Sequence, residues 1–313
     1  MRKTFLIGLM ALCFSASVYA VEFINVLTGG TSGIYYPLGV ALSQMYAKAI
    51  PDSKTAVQAT KASVENLNLL QAGRGEAAIS LGDSLSDAYK GNAEAGFKAP
   101  LSKLRTISAL YPNYIHFVAA ADSGIKSFAD IKGKRISVGA PKSGTELNSR
   151  AILAAAGLSY KDFSKVEYLS YAESVELMKN RQLDVTLLSS GAGVAALRDL
   201  ATSQKVVFLT IPEEIVKKID DPAYQVGIIP ANTYEGQTAD VQTVSVQNFL
   251  VTHSGVSEQT VYTMTKTMFE NLDEMVAAHA AAKGIKLENA AKNSPAPLHP
   301  GAIKYYKEIG LIK

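Results

Sequence analysis

The chain has 313 residues, 48% of them hydrophobic, with 31 Lys and Arg against 28 Asp and Glu. That length exceeds what one compact core needs and suits two lobes of ordinary size. A net charge of +3 and a single cysteine, Cys13, give no electrostatic case for nucleic acid or an anionic membrane, and no disulfide framework.

Residues 1–20 open with Arg2 and Lys3, continue with an apolar run over 5–14 and end in Val18, Tyr19 and Ala20. This is the pattern of a secretory signal peptide cleaved after Ala20. The apolar run is about half of the roughly 20 residues that a membrane-spanning helix requires. Leu12 before Cys13 fits a lipoprotein signal badly. The expected product is a soluble, periplasmic chain that begins at Val21 and carries no thiol. Loss of Arg2 and Lys3 lowers the basic count from 31 to 29 and the net charge from +3 to +1.

From Phe23 onward, short β-rich runs alternate with amphipathic stretches. Strands are predicted at FINVL (23–27), TAVQA (55–59), AAISL (77–81), ISVG (136–139), DVTLL (184–188) and VVFL (206–209). Helical patterns cover 35–50, 64–72 and 146–156, and a long one runs over 257–282. Strand and helix in alternation predict an α/β fold with largely parallel sheets.

The order of these elements repeats. A strand, "TGGTSG" and a helix come first, with "ASVENLNLLQAGRGEAAISLGDS" after them; later ISVG, "APKSGT" and a helix are followed by "AESVELMKNRQLDVTLLSSG". The sequence therefore predicts two similar α/β lobes around a ligand cleft, because loops at the carboxyl ends of parallel strands meet at one crevice. Lobe one is expected over 21–115 and 232–313, and lobe two over 116–231. The chain would cross near 112–124 and return near "GIIPANTY" (227–234).

"TGGTSGIYYP" (28–37) follows a strand and opens a helix, so its backbone N–H groups and the positive helix end favour an anion. It lacks both the dinucleotide fingerprint and the P-loop ending. The structural alternative is a glycine-rich turn capped by Thr31 or Ser32. "PKSGTE" (141–146) repeats the logic with Ser143, Gly144 and Thr145, although Ser143 and Glu146 also fit a capping box. Ser63 and Asn66 stand where the next helix needs a cap, and Ser189 and Ser190 match the "LGDS" strand end. Asp83 suits a cap of the following helix; facing the crevice instead, it would pair an amine.

The sequence speaks against an enzyme. His116, His253, His279 and His299 show no metal-ligand spacing, and no G-x-S-x-G elbow marks a nucleophilic serine. No cofactor or metal is implied. A periplasmic hydrolase assembled from distant residues is the alternative from another class.

"LTGGTSGIYYPLG", "ASVENLNLL", "LYPNYIHFVA", "SFADIKGKRISVGAPKSGTE" and "PLHPGAIKYYKEIGL" together resemble the TRAP-associated extracytoplasmic immunogenic (TAXI) family of solute-binding proteins, over nearly the whole mature chain. The resemblance implies a type II-like periplasmic binding-protein clamshell that hands a small carboxylated solute to TRAP transporter membrane subunits; a sensor kinase is the alternative partner. It implies ligand contacts from Thr31, Gly33 and Tyr35, from Ser63 and Asn66, from Tyr111, and from Ser143, Gly144 and Thr145. Ser32, Ser190 and Lys61 join them on the reading of the residues themselves. Family ligands are mainly dicarboxylates such as glutamate and 2-oxoglutarate. Lys61 departs from the family pattern; if it faces the cleft it favours 2-oxoglutarate, whereas an inward Asp83 would favour glutamate. The alternative for Lys61 is a solvated surface lysine.

Overall fold

The computed structural model describes residues 21–313. The expected signal peptide, its expected cleavage site and Cys13 lie outside the described residues.

The first half opens with β1 (Phe23–Leu27), α1 (Tyr35–Ala49), β2 (Lys54–Gln58), α2 (Ser63–Gln71), β3 (Ala77–Leu81) and α3 (Gly82–Lys90). β1 lies between β2 and β3 and pairs with both in parallel, with Val26 opposite Val57 and Ala77. All five residues of β3 are buried, as expected of a strand covered on both faces.

β4 (Leu104–Ala120) then leads into β5 (Arg135–Ser137), α4 (Gly144–Ala155), β6 (Lys165–Glu167), α5 (Tyr171–Lys179) and β7 (Val185–Ser190). α6 (Ala195–Ser203), β8 (Val206–Leu209), α7 (Glu213–Lys217) and β9 (Tyr224–Ile229) complete this part. β5 pairs in parallel with β6 and β7, repeating the build of the first half. Its core joins Ile115 and Phe117 of β4 to Ile136, Ile152, Leu153, Val185 and Leu187. Each such side chain contributes roughly 1.5–3 kcal/mol on full burial.

The return is β10 (Val241–His253), followed by α8 (Glu258–Glu270), α9 (Leu272–Ala278) and α10 (Pro300–Glu308). β4 and β10 pair antiparallel and run through both halves, which makes one sheet of order β2-β1-β3-β10-β4-β7-β5-β6. The upper part of β10 pairs with β3, and its first six residues pair with β9. Where the two long strands change partners, Pro112 stands opposite Gln247 and the register shifts. Proline has no N–H for the ladder, so it is tolerated at such an irregularity.

The predicted helix over 257–282 is broken twice. Asn271 leaves helical geometry, and its side-chain amide donates to the Thr267 carbonyl at 2.8 Å, ending α8. His279 ends α9 and accepts the Ala281 N–H at its Nδ1. Because β9 pairs with Val241 to Val246, and Ser245 and Val246 stand opposite Tyr114 and Asn113 of β4, we propose that the chain returns to lobe one at Gln247 rather than at 227–234. Among the described residues no helix is long and apolar enough to cross a membrane.

Candidate functional site

The carboxyl ends of the parallel strands in both halves open onto one cavity of about 110 Å³. Drug-sized pockets are roughly 300–1,000 Å³, so the space suits a small solute. The starts of four helices line it: Gly29, Gly30 and Ser32 to Tyr35 before and at the start of α1, Ala62 and Ser63 at the start of α2, Ser143 to Thr145 at the start of α4, and Ser170 and Tyr171 at the start of α5. Helix N-termini carry unpaired N–H groups and partial positive charge. Their convergence turns the partial positive ends of four helices toward the cavity.

Capping follows a different plan from the one the sequence predicts. α1 and α2 have no side-chain cap, so neither Thr31 nor Ser32 caps α1 and Ser63 does not cap α2. The Ser63 hydroxyl instead accepts the Leu81 N–H at 3.1 Å, tying α2 to the end of β3. Ser143 does cap α4: its Oγ accepts from the Glu146 N–H at 3.1 Å. The box is not closed, because the Glu146 carboxylate pairs with Arg150 and accepts from Tyr160.

Ser32, Gly33, Tyr35, Lys61, Ser63, Ser143, Gly144, Thr145 and Ser190 all line the cavity. Thr31, Asn66 and Tyr111 do not. Thr31 is exposed on the turn before α1. Asn66 is fully buried beneath the wall and donates to the carbonyls of Thr28 at 2.7 Å and Ile79 at 2.9 Å. It also accepts from Thr60 at 2.6 Å, so it braces the loop that carries Lys61. That loop includes Ala62 at φ 72°, a strained angle for a residue with a Cβ. The Thr60 hydroxyl holds the strained residue by accepting the Ala62 N–H at 2.9 Å.

Tyr111 is packed behind the wall. A Cβ on Gly191 would stand 3.0 Å from its ring and 2.8 Å from Ile34, so only glycine lets the chain after Ser190 approach. The Tyr111 hydroxyl is buried and has no hydrogen-bond partner among the described residues.

Tyr171 belongs to the site and was not singled out from the sequence. Its hydroxyl donates to the Ser189 carbonyl at 2.5 Å and lies 3.0 Å from Thr145 Oγ1, which donates to it. Burial pushes this phenol up to about 12, and burial likewise raises Tyr35 and Tyr111. All three stay neutral near pH 7. The available signal was the repeat, which sets the start of α5 in lobe two where α2 starts in lobe one.

Among the described residues, Lys61 is the one charged residue lining the cavity. It is exposed at the rim, and its backbone N–H donates to Glu65 Oε2 at 2.7 Å. Asp83 neither caps a helix nor faces the cavity. It sits in the first turn of α3, where the side chains of Asn148 and Tyr224 each donate to its Oδ2 at 2.7 Å.

Among solved structures the fold is similar to a periplasmic transporter at 12% identity, covering 93% of this chain and 94% of that one with a TM-score of 0.57. It is similar to the alkanesulfonate-binding protein SsuA from Xanthomonas axonopodis pv. citri bound to MOPS, at 16% identity, 94% and 96% coverage and a TM-score of 0.51. A third likeness is to a structure from work on glutathione import via GshT and the cystine ABC importer TcyBC of Streptococcus mutans, at 12% identity, 85% and 98% coverage and a TM-score of 0.52. At such identities the likeness is one of fold. The architecture is the mixed α/β, two-lobed fold of periplasmic binding proteins, as the repeated elements predict. Residues 26–310 match the NMT1-like family, and the chain belongs to that family.

Proposed function

We propose that this protein is a periplasmic solute-binding protein that captures a small dicarboxylate between its lobes and delivers it to a membrane transporter. The observation that carries this reading is the cavity where four helix N-termini and Lys61 converge and which, among the described residues, no acid lines. Preorganised N–H groups and hydroxyls hold one carboxylate; a second, losing water as the cleft closes, gains from the Lys61 cation. An ammonium finds no carboxylate on this wall, because Asp83 is engaged by Asn148 and Tyr224. The reading therefore favours 2-oxoglutarate over glutamate.

The lining serines and threonines also lack what a hydrolase needs. Among the described residues no histidine or carboxylate lines the cavity, so no general base stands ready beside a hydroxyl. This supports binding over catalysis.

For the partner, the motif resemblance to TAXI proteins supports a cation-driven TRAP transporter. The similar fold from work that includes an ABC importer favours an ATP-driven one as the second reading. Uptake into vesicles bearing the membrane subunits separates them: a sodium gradient drives the first, internal ATP the second.

A thermal-shift screen of organic acids and amino acids tests the binding reading, since a ligand of the folded state raises the melting temperature by mass action. A dicarboxylate that raises it and is recovered chemically unchanged is the expected result. A dicarboxylate consumed during incubation would make the protein an enzyme.

A further inference from the structure

A single run of hydrogen bonds crosses the molecule beneath the cavity. Tyr35, on the cavity wall, donates to Asn248 Oδ1 at 2.5 Å, and Asn248 Nδ2 donates to Asn113 Oδ1 at 3.2 Å. Asn113 Nδ2 donates to Ser189 Oγ at 2.8 Å, and Ser189 donates to Asn148 Oδ1 at 2.6 Å. Asn148 Nδ2 then donates to Asp83 Oδ2 at 2.7 Å. Every donor points the same way, and the run ends on a carboxylate. Bonds aligned in this manner polarise one another in a low-dielectric interior.

The route has mechanical meaning. Asn113 and Asn248 sit on β4 and β10, the two strands that join the halves, and both are buried. Ser189 belongs to the cavity wall. At the far end, Asp83 of the first half is gripped by Asn148 of α4 and Tyr224 of β9, both in the second half. Separating the lobes breaks these two contacts.

We infer that Asp83, Asn148 and Tyr224 form a latch between the lobes, and that the side-chain run from Tyr35 through Ser189 ties its engagement to the occupied, closed cavity. The inference rests on the solute-capture reading for its purpose, though not for its detection. Asp83, Asn148 and Tyr224 are positioning residues, since none of them lines the cavity.

The charges around Asp83 give the latch a signature. Tyr224 faces it from β9, Asn148 from α4 and the Ser84 N–H from its own helix. The charged groups acting on it are Asp221, in the turn before β9, and Asp87 on α3, both acidic. Burial first, and these two acids after it, push the Asp83 carboxyl up to about 6, although the Tyr224 and Ser84 hydrogen bonds oppose the rise. In the open, hydrated state it returns to about 3.9. Closing therefore takes up a proton between those values, and the closed form gains as pH falls through 6. From pH 7.5 to 5.5 the predicted gain in affinity is about fourfold. Replacing the carboxyl with an amide removes it.

The experiment uses 2-oxoglutarate calorimetry and ligand-free small-angle scattering on wild type, Asp83→Asn and Tyr224→Phe, each at pH 7.5 and 5.5, with melting curves to verify folding. The fourfold gain should divide between the two readouts: wild type should bind up to about fourfold tighter at pH 5.5 and, so far as it closes without ligand, show a smaller radius of gyration there. Asp83→Asn should show neither change with pH. Tyr224→Phe should bind roughly tenfold more weakly at pH 7.5, where Asp83 is charged, and lose less at pH 5.5, because this hydrogen bond favours the charged carboxylate. Equal pH dependence in wild type and Asp83→Asn, or an unchanged dissociation constant and radius in folded Tyr224→Phe, would overturn the latch. If wild type binds no 2-oxoglutarate, the ligand assignment fails, and the scattering of the ligand-free proteins still decides the latch. Should Asp83→Asn not fold, the wild-type pH profile and Tyr224→Phe decide it.

Discussion

Gly144, the first residue of α4, stands so close to Ser63, the first residue of α2, that a Cβ on it would lie 2.8 Å from the Ser63 hydroxyl and 2.6 Å from a Leu81 methyl. The two helices belong to opposite halves, so this contact exists only with the lobes together. The backbone bond from the Glu65 N–H to the Lys142 carbonyl, 3.2 Å long, spans the same gap.

Gly144→Ala should therefore block full closure while leaving each lobe sound, since alanine is a better helix former than glycine. The expected outcome is a dissociation constant raised at least tenfold with a ligand-free melting temperature no lower than wild type. Calorimetry paired with melting curves measures both. Unchanged affinity would show that the lobes need not meet at this point for binding.

Lys61→Ala should weaken a dicarboxylate by roughly tenfold, the worth of one charged hydrogen bond of about 1.5 kcal/mol. A monocarboxylate should lose far less. Because Lys61 is exposed at the rim, its contribution should shrink between low and high salt, as screening of exposed charges requires. Equal losses for both ligands would assign the lysine to general attraction rather than to the second carboxylate.

Asn66→Ala should act on stability first. The change leaves the Thr28 and Ile79 carbonyls without the donor they now share, a cost of about 1–3 kcal/mol for buried groups. Denaturant unfolding reads this directly. A variant as stable as wild type but unable to bind would make Asn66 a ligand contact, the role the motif resemblance implies.

His116 sets an acid limit. Its Nε2 lies 2.9 Å from the Tyr234 hydroxyl, and burial pulls the imidazole down to about 4. The unfolded chain takes up this proton near 6.5, so stability is lost as pH falls from about 6.5 toward 4. Asp83, raised to about 6, contributes in the opposite sense between about 6 and 4. Calorimetric melting from pH 7 to 5 should therefore show a shallower decline in His116→Gln than in wild type, and the same difference in an Asp83→Asn background. Parallel curves would place the acid sensitivity elsewhere.

Much of this architecture is written locally. β1, β3 and β8 fall on the predicted runs at 23–27, 77–81 and 206–209, because apolar β-branched runs bounded by turns need no distant partner to be seen. β4 and β10 were not legible. Tyr111 and Pro112 interrupt one, polar residues such as Gln247 and Asn248 interrupt the other, and both are held as strands by each other and by further strands distant in sequence. The hydroxyl and glycine loops were read from their residues and from the motif resemblance, and nine of the twelve expected residues line the cavity. Asn113, Asn148 and Asn248 carry no local mark, since their partners stand 41 to 213 residues away. Asp83 looked like a cap for the same reason: its true partners, Asn148 and Tyr224, are brought to it by topology.

The central claim is capture of a small dicarboxylate, and titration calorimetry of the wild-type protein with 2-oxoglutarate, glutamate and acetate tests it most directly. The account predicts one site per chain, with 2-oxoglutarate bound most tightly and acetate at least tenfold more weakly, since it forgoes the second carboxylate's contacts. Absence of binding by both dicarboxylates, or acetate bound as tightly as 2-oxoglutarate, would contradict it.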